Sequence, residues 1–146
     1  MAKSNRYKSQ LCMAGEFGVC AELSKRGHDV SLTMGNYKAV DIFVFLHDSN
    51  ETVAKRIEVK TSRSTRFVTG FFQKYYDKSL SNHPDYWVLV YIDSNNISHY
   101  YILTHEEMGN VQMERNKMTT WERVNGCDNV LLKDIIAYED LWNKIF

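Results

Sequence analysis

The chain has few residues of the types that break secondary structure or form cross-links. Its 146 residues include one proline, seven glycines and three cysteines, and no low-complexity stretch. Because Pro- and Gly-rich linkers are missing, we expect one domain over residues 1–146. An odd number of cysteines without a CxxC pair argues against a disulfide framework or a zinc knuckle.

Neither sign of charge dominates. The 18 basic and 18 acidic residues give a formal net charge of zero, whereas nucleic-acid-binding domains are often strongly basic. This balance argues against tight, non-specific DNA binding but leaves room for a local basic face. No apolar run reaches transmembrane length, and Glu16 interrupts the apolar stretch after the basic N-terminus. We therefore expect a cytoplasmic protein without a signal peptide or a membrane segment.

The hydrophobic pattern predicts an α/β domain. Helices are expected over residues 10–26, 68–80 and 132–145, and strands over residues 30–34, 40–46, 52–60, 86–92 and 98–103. Gly27 is the expected stop of the first helix, and Thr104 is expected to cap a short helix with Glu107. The second and third strands should form an antiparallel hairpin. This order predicts a mixed central sheet of about five strands flanked by helices.

Glu58 and Lys60 stand two residues apart in a predicted strand, so their side chains share a face. A carboxylate beside an ammonium group is common as a surface ion pair, and E-x-K is a weak motif by itself. The neighbouring Ile57 and Val59 indicate a buried strand, where a charged pair is costly unless the site requires it.

Asp41 begins an apolar run of the chain. It is either a residue at the start of a strand that faces solvent, or it lies beside Glu58. In the second case the two carboxylates repel each other, and a shared divalent cation relieves that repulsion.

Glu16 falls within the apolar stripe of the first helix, where a carboxylate needs a partner. The alternative is an ordinary residue at the edge of the helix. Gly15 and Gly18 each weaken a helix by roughly 1 kcal/mol relative to alanine. Close packing of this helix face against a sheet or a bound backbone would explain them.

In order and spacing, these stretches resemble the PD-(D/E)XK nuclease superfamily, in its restriction-endonuclease-like and archaeal Holliday-junction-resolvase-like branch. The resemblance rests on Gly15-Glu16-Phe17-Gly18-Val19, Lys38-Ala39-Val40-Asp41-Ile42 and Ile57-Glu58-Val59-Lys60-Thr61-Ser62. Val40 stands where the family's proline would be. The resemblance implies a restriction-endonuclease-like fold, with an αβββαββ core and a C-terminal helix.

The resemblance also implies the roles of the site residues Glu16, Asp41, Glu58 and Lys60. Asp41 and Glu58 would bind Mg²⁺, or Mn²⁺ as a substitute, with the carbonyl of Val59 as a further ligand. Glu16 would complete the shell directly or through water. Lys60 would position or deprotonate the attacking water and offset phosphate charge.

The implied activity is a Mg²⁺-dependent DNA endonuclease, either Holliday-junction-resolvase-like on branched DNA or of the restriction type. A symmetric substrate would require a homodimer. The neutral net charge favours an alternative, a catalytically silent nuclease fold that binds nucleic acid or serves in assembly. A third possibility is a structural domain whose acidic residues are merely solvated.

Residues after the acidic motif supply candidate phosphate contacts. These are Thr61, Ser62, Arg63, Arg66 and Lys74. The alternative is a solvated loop.

Four aromatic residues on the second predicted helix are either core or a stacking surface for bases, namely Phe71, Phe72, Tyr75 and Tyr76. The five histidines show no metal-binding spacing and are expected at the surface or in turns.

Overall fold

The computed structural model describes residues 4–33, 40–76 and 83–146. The strands are β1 (Asp29–Leu32), β2 (Ile42–His47), β3 (Thr52–Ser62), β4 (Arg66–Val68), β5 (Tyr86–Ile92), β6 (Ser98–Thr104) and β7 (Asn129–Leu131). Five of them form one sheet in the order β1-β2-β3-β5-β6, and β4 pairs with β7 separately. Only the β3–β5 pair of the large sheet is parallel. The predicted α/β class, mixed five-stranded sheet and β2–β3 hairpin are confirmed.

The helices flank this sheet. They are α1 (Asn5–Lys25), α2 (Phe71–Tyr75), α3 (His105–Asn116) and α4 (Leu132–Ile135), and 3₁₀ turns follow at Ile136–Tyr138 and Trp142–Lys144. No helix in the described ranges is both long and apolar enough to cross a bilayer. Gly27 has a φ of 86° after the end of α1, and Thr104 and Glu107 form a capping box at the start of α3. Both expected helix signals are confirmed.

The glycines of α1 let its backbone approach the sheet closely. A Cβ atom at Gly15 would overlap the hydroxyl of Thr61, and one at Gly18 would lie 2.5 Å from the hydroxyl of Tyr100. Side chains do not tolerate such approaches, so glycine is needed at both positions. The expected close packing of this helix face against a sheet is confirmed.

Alternate residues of β3 face different layers of the molecule. Ile57 and Val59 belong to the core beneath α1. Glu58 and Lys60 therefore face the opposite layer, whose core contains Phe71 and Trp87. This alternation places a charged pair beside α2 and the apolar Ile57 and Val59 beneath α1.

The predicted helix over residues 68–80 was wrong at its start. Val68 belongs to β4, and the helix begins only at Phe71; residues 77–80 lie outside the described ranges. Gly70 has a φ of 59°, and the carbonyl of Asp128 accepts hydrogen bonds from the N–H groups of Thr69 and Gly70. These contacts with a distant segment hold the chain out of the helical conformation.

The single helix predicted over residues 132–145 was also wrong. The α-helix ends at Ile135, and the chain then turns towards β6. Asp140 has a φ of 53°, and its N–H donates to the carbonyl of Tyr100 at 2.9 Å. Pairing with the edge of the sheet replaces the bonds that a continued helix would make.

Candidate active site

The site lies where β2 and β3 separate. β2 pairs with β3 only from Thr52 to Ile57, while β3 continues to Ser62 alongside β5. Beyond Ile57, no described strand lies on the β2 side of β3. This opening, at residues 58–62 of β3, is called the gap below.

Asp41 forms hydrogen bonds with β3 at the start of the gap. Its N–H donates to the carbonyl of Ile57 at 2.9 Å, and its Oδ2 accepts from the N–H of Val59 at 2.7 Å. In a strand, the N–H and C=O of one residue point to the same side. The carbonyl of Val59 therefore also faces the gap, next to the Asp41 carboxylate.

Burial raises the pKa of Asp41 above its ordinary value. The hydrogen bond from Val59 lowers the pKa, whereas the nearby Glu58 charge raises it again. Asp41 is thus no solvated residue at the start of a strand. It is a desolvated carboxylate near a second one, an arrangement that favours a bound cation.

Glu58 is 5% exposed and carries two ammonium neighbours. The Nζ of Lys60 lies 2.8 Å from its Oε1, and the Nζ of Lys74, from α2, lies 3.9 Å from the same oxygen. A surface ion pair does not describe this group, because Glu58 is buried. Burial and the charge of Lys60 lower the pKa of Lys74.

Glu16 lies on α1, and it is half-buried. Burial, and after it the charge of Asp41, raises the pKa of Glu16 to about 7. The Cys12 pKa is raised by burial and by the same two carboxylates. Glu16 and Asp41 therefore share one electrostatic environment, although no direct contact joins them among the described residues.

The donor set fits a hard divalent cation. Asp41 and Glu58 provide carboxylate oxygens, the carbonyl of Val59 faces the same gap, and the raised Asp41 pKa shows that negative charge is unfavourable there. The described residues contain no group of three His, Cys, Asp or Glu side chains close enough to hold an ion. Glu16 thus does not join the other two acids in a preformed cluster. Mg²⁺ suits such a site because it usually keeps several waters.

The candidate phosphate contacts occupy three different settings. Lys74 lies against Glu58, as described above. Arg63 is exposed and donates to the Oδ1 of Asn96 at 2.9 Å, and Arg66 is exposed. Ser62 is buried and closes the turn after β3 by donating to the carbonyl of Arg66 at 2.7 Å. The hydroxyl of Thr61 is buried beneath Gly15, and no described residue forms a hydrogen bond with it.

Aromatic side chains of α2 form part of the core layer that contains Trp87. Of the two alternatives left open for these aromatic residues, Phe71, Phe72 and Tyr75 are core, whereas Tyr76 is 39% exposed. The pKa of the Tyr75 hydroxyl is raised by burial and by the charges of Glu58 and Asp41. This layer therefore borders the carboxylates of the site.

His105 is part of the same layer, and its predicted place at the surface was wrong. Its Nδ1 accepts from the Nε1 of Trp87 at 3.0 Å, and its ring stacks on His83 with 4.3 Å between centroids. Burial, and then the neighbouring His83, lowers the pKa of His105 to about 4. Sequence spacing did not reveal this cluster, because its members come from distant segments.

A cleft of about 1050 Å³ opens beside this aromatic layer. Its walls include Tyr75 of α2, the following Tyr76, His83, and Trp121 from the segment after α3. No sequence pattern predicted the cleft. It lies next to the helix that brings Lys74 to Glu58.

No protein family model, curated protein or solved structure matches the chain. What the site does must therefore be inferred from its own residues.

Proposed function

We propose that this protein is a Mg²⁺-dependent phosphodiester hydrolase that cuts DNA internally, with a site of the PD-(D/E)XK type. One observation carries the proposal. The Asp41 carboxylate accepts a hydrogen bond from Val59, the residue between the paired Glu58 and Lys60, at the point where β2 leaves β3. Hard oxygen ligands beside a cationic side chain are the groups that phosphodiester hydrolysis requires.

Each side chain then has a distinct task. Asp41, Glu58 and the Val59 carbonyl would hold the cation, and Glu16 would bind one of its waters. When bound, Mg²⁺ polarises the phosphate and acidifies water. Lys60 orients the attacking water and offsets phosphate charge. A lysine beside acids ordinarily stays protonated, which makes positioning its main task.

Lys74 supports the phosphate rather than the cation. Its ammonium group is held near Glu58 by α2 and remains about half exposed. Arg63 and Arg66 extend the positive charge beyond the end of β3. Together they give a chain of zero net charge a local basic surface.

The substrate is DNA, linear or branched, inside the cell, where the three free cysteines stay reduced. A single domain has little room for a separate module that recognises a target sequence. We propose that two copies act together on symmetric substrates, since each copy supplies one cutting site.

A second candidate is a silent nuclease fold that binds nucleic acid without cutting. Two lysines already neutralise Glu58, and no three-acid group exists among the described residues. In that case Lys60 and Lys74 serve only to balance the buried charge.

A nicking assay separates the two candidates. Supercoiled, branched and single-stranded DNA are incubated with the protein in Mg²⁺, Mn²⁺ or EDTA. The endonuclease proposal requires cutting with either metal and none with EDTA. Binding without cutting in both metals would support the silent alternative.

A pair of matched variants ties any cutting to this site. Asp41→Asn keeps an oxygen that can accept from Val59 but removes the negative charge, so we expect cutting to be abolished in a folded protein. Asp48→Asn makes the same change in the exposed turn after β2 and should leave cutting unchanged. Wild-type activity in the Asp41 variant would show that the nuclease lies elsewhere or is a contaminant.

A further inference from the structure

The aromatic cleft beside α2 offers flat rings at its walls and polar groups at its rim. His83 stacks on His105 with an angle of 7° between the rings, and His105 in turn stacks on Phe71 at 28°. Among the described residues, this column of near-parallel rings ends at His83, which is half-buried and lines the cleft. A planar group can extend such a column by stacking on it.

Other residues at the cleft differ in chemistry from the stacked rings. Tyr76 is 39% exposed, and the guanidinium carbon of Arg123 lies 5.7 Å from its ring centroid. Exposed side chains of Asn110 and Thr120 stand at the rim, where they can donate and accept hydrogen bonds. Stacking surfaces with a polar rim suit a planar ring system that carries donors and acceptors along its edge.

The cleft and the acidic site are connected through consecutive residues of α2. Lys74 directs its ammonium group to Glu58, and the next residue, Tyr75, lines the cleft. Their Cα atoms are about 3.8 Å apart, as in any trans peptide. A nucleotide whose phosphate meets Lys74 therefore lies beside a residue, Tyr75, that lines this cleft.

We propose that the cleft binds one unpaired nucleobase of the nucleic acid strand whose phosphate lies at the Asp41–Glu58 site. This proposal rests on the proposed function, and it adds that the substrate presents a splayed or single-stranded nucleotide at the point of cutting. The base stacks against the exposed rings, and its edge meets the polar rim. Fully paired DNA does not fill the cleft.

Binding of a single base to the full-length protein tests the proposal. The probe is an otherwise abasic DNA strand that carries one 2-aminopurine, compared with the same strand without the base, in EDTA. We expect quenched 2-aminopurine fluorescence on binding and clearly weaker binding of the strand without the base. Tyr76→Ala should weaken binding of the base-containing strand about 5- to 150-fold and leave the other strand unaffected.

Two further variants serve as controls. Tyr76→Phe keeps the ring and should bind like the wild type. Ile136→Ala removes an exposed apolar side chain that does not line the cleft and should also bind normally. Equal affinity for the two strands, or an equal loss for both in Tyr76→Ala, would overturn the proposal.

Failure of this proposal can be told apart from failure of the proposed function. Metal-dependent nicking without any preference for the base would leave the nuclease intact and remove the cleft from its substrate site. Base-dependent binding without nicking in Mg²⁺ or Mn²⁺ would support the cleft and refute the nuclease.

Discussion

The Asp41 carboxylate occupies the position that a backbone carbonyl would take in a continued strand: its Oδ2 accepts the Val59 N–H at 2.7 Å. The side chain thereby satisfies a backbone donor that β2 no longer reaches. The same bond fixes the carboxylate beside Glu58, so the end of the β2–β3 ladder and the start of the proposed site are one feature.

Replacing Lys60 should separate turnover from metal binding. Lys60 cannot be a ligand while it is charged, and it competes for Glu58 through a 2.8 Å ion pair. Lys60→Met should therefore lower the cutting rate on the order of 10²–10⁴-fold while Mn²⁺ affinity stays equal or rises. Calorimetry of Mn²⁺ binding beside a nicking assay measures both quantities.

Lys55→Met is the control for this experiment, because Lys55 belongs to the same strand but lies outside the gap. If Lys60→Met instead lost Mn²⁺ affinity tenfold or more and kept its rate at saturating metal, Lys60 would be a support for Glu58 and the proposed mechanism would be wrong.

Glu16 should titrate near neutrality in the metal-free protein. Its folded pKa is raised to about 7 by burial and by Asp41, above the ordinary 4.5. A carboxylate with a raised pKa costs stability above pH 7, and that cost disappears as pH falls towards 4.5. Glu16→Gln should therefore be more stable than wild type at pH 8 and should lose this advantage near pH 4.5.

Urea unfolding at several pH values checks this expectation, with Glu51→Gln in the exposed β2–β3 turn as the control. Carbon-detected NMR titration gives the pKa of Glu16 directly, and Asp41→Asn should lower it. An ordinary pKa near 4.5 in the wild type would show that Glu16 is solvated and does not belong to the site.

The packing of α1 on β6 predicts a rescue. A Cβ atom at Gly18 would lie 2.5 Å from the Tyr100 hydroxyl oxygen but 3.5 Å from the nearest ring carbon. Gly18→Ala should cost about 1–3 kcal/mol of unfolding free energy through overpacking. In a Tyr100→Phe background the same change should cost nothing or gain up to about 1 kcal/mol from helix propensity.

A double-mutant cycle on the free energy of unfolding measures this coupling. The single variant Tyr100→Phe supplies the reference for the lost hydroxyl. Additive effects of the two substitutions would mean that the helix and the sheet are farther apart than the structure shows.

His105 should make the protein sensitive to mild acid. Burial lowers its folded pKa to about 4, whereas the unfolded value is 6.5. The unfolded state therefore takes up a proton first, and stability that is complete above pH 6.5 is lost as pH falls towards 4. The loss from this group should reach about 3 kcal/mol.

Denaturant unfolding of His105→Asn tests this assignment, because asparagine keeps an acceptor near the Trp87 N–H but does not titrate. Its stability should depend less on pH between 6.5 and 4. His28→Asn, at a position between α1 and β1, should retain the wild-type dependence. An unchanged pH dependence in the His105 variant would contradict a neutral, buried imidazole.

Local sequence patterns predicted the parts of the fold that local physics controls. The apolar run over residues 86–92 coincides with β5, and the capping residues Thr104 and Glu107 mark the start of α3. The three-residue strands β4 and β7 escaped prediction, because so short a stretch shows no periodicity and each depends on the other for pairing. The segment after Ile135 also follows a tertiary partner, the edge of β6.

The same distinction applies to the site. The strand period alone puts Glu58 and Lys60 on one face, and their ion pair confirms it. The position of Lys74 beside Glu58 could not be derived, because it depends on how the chain turns from β4 into α2. The stack of His83 on His105 likewise depends on tertiary packing.

The gap at residues 58–62 also bears on how the protein avoids self-association. A strand edge with free N–H and C=O groups is a template for pairing with another chain. Asp41 blocks one such donor, at Val59, and its negative charge discourages an incoming strand. One carboxylate would thus serve both solubility and the proposed cutting. Neutral substitutes at position 41 should therefore show more aggregation in concentrated solution than neutral substitutes at position 60.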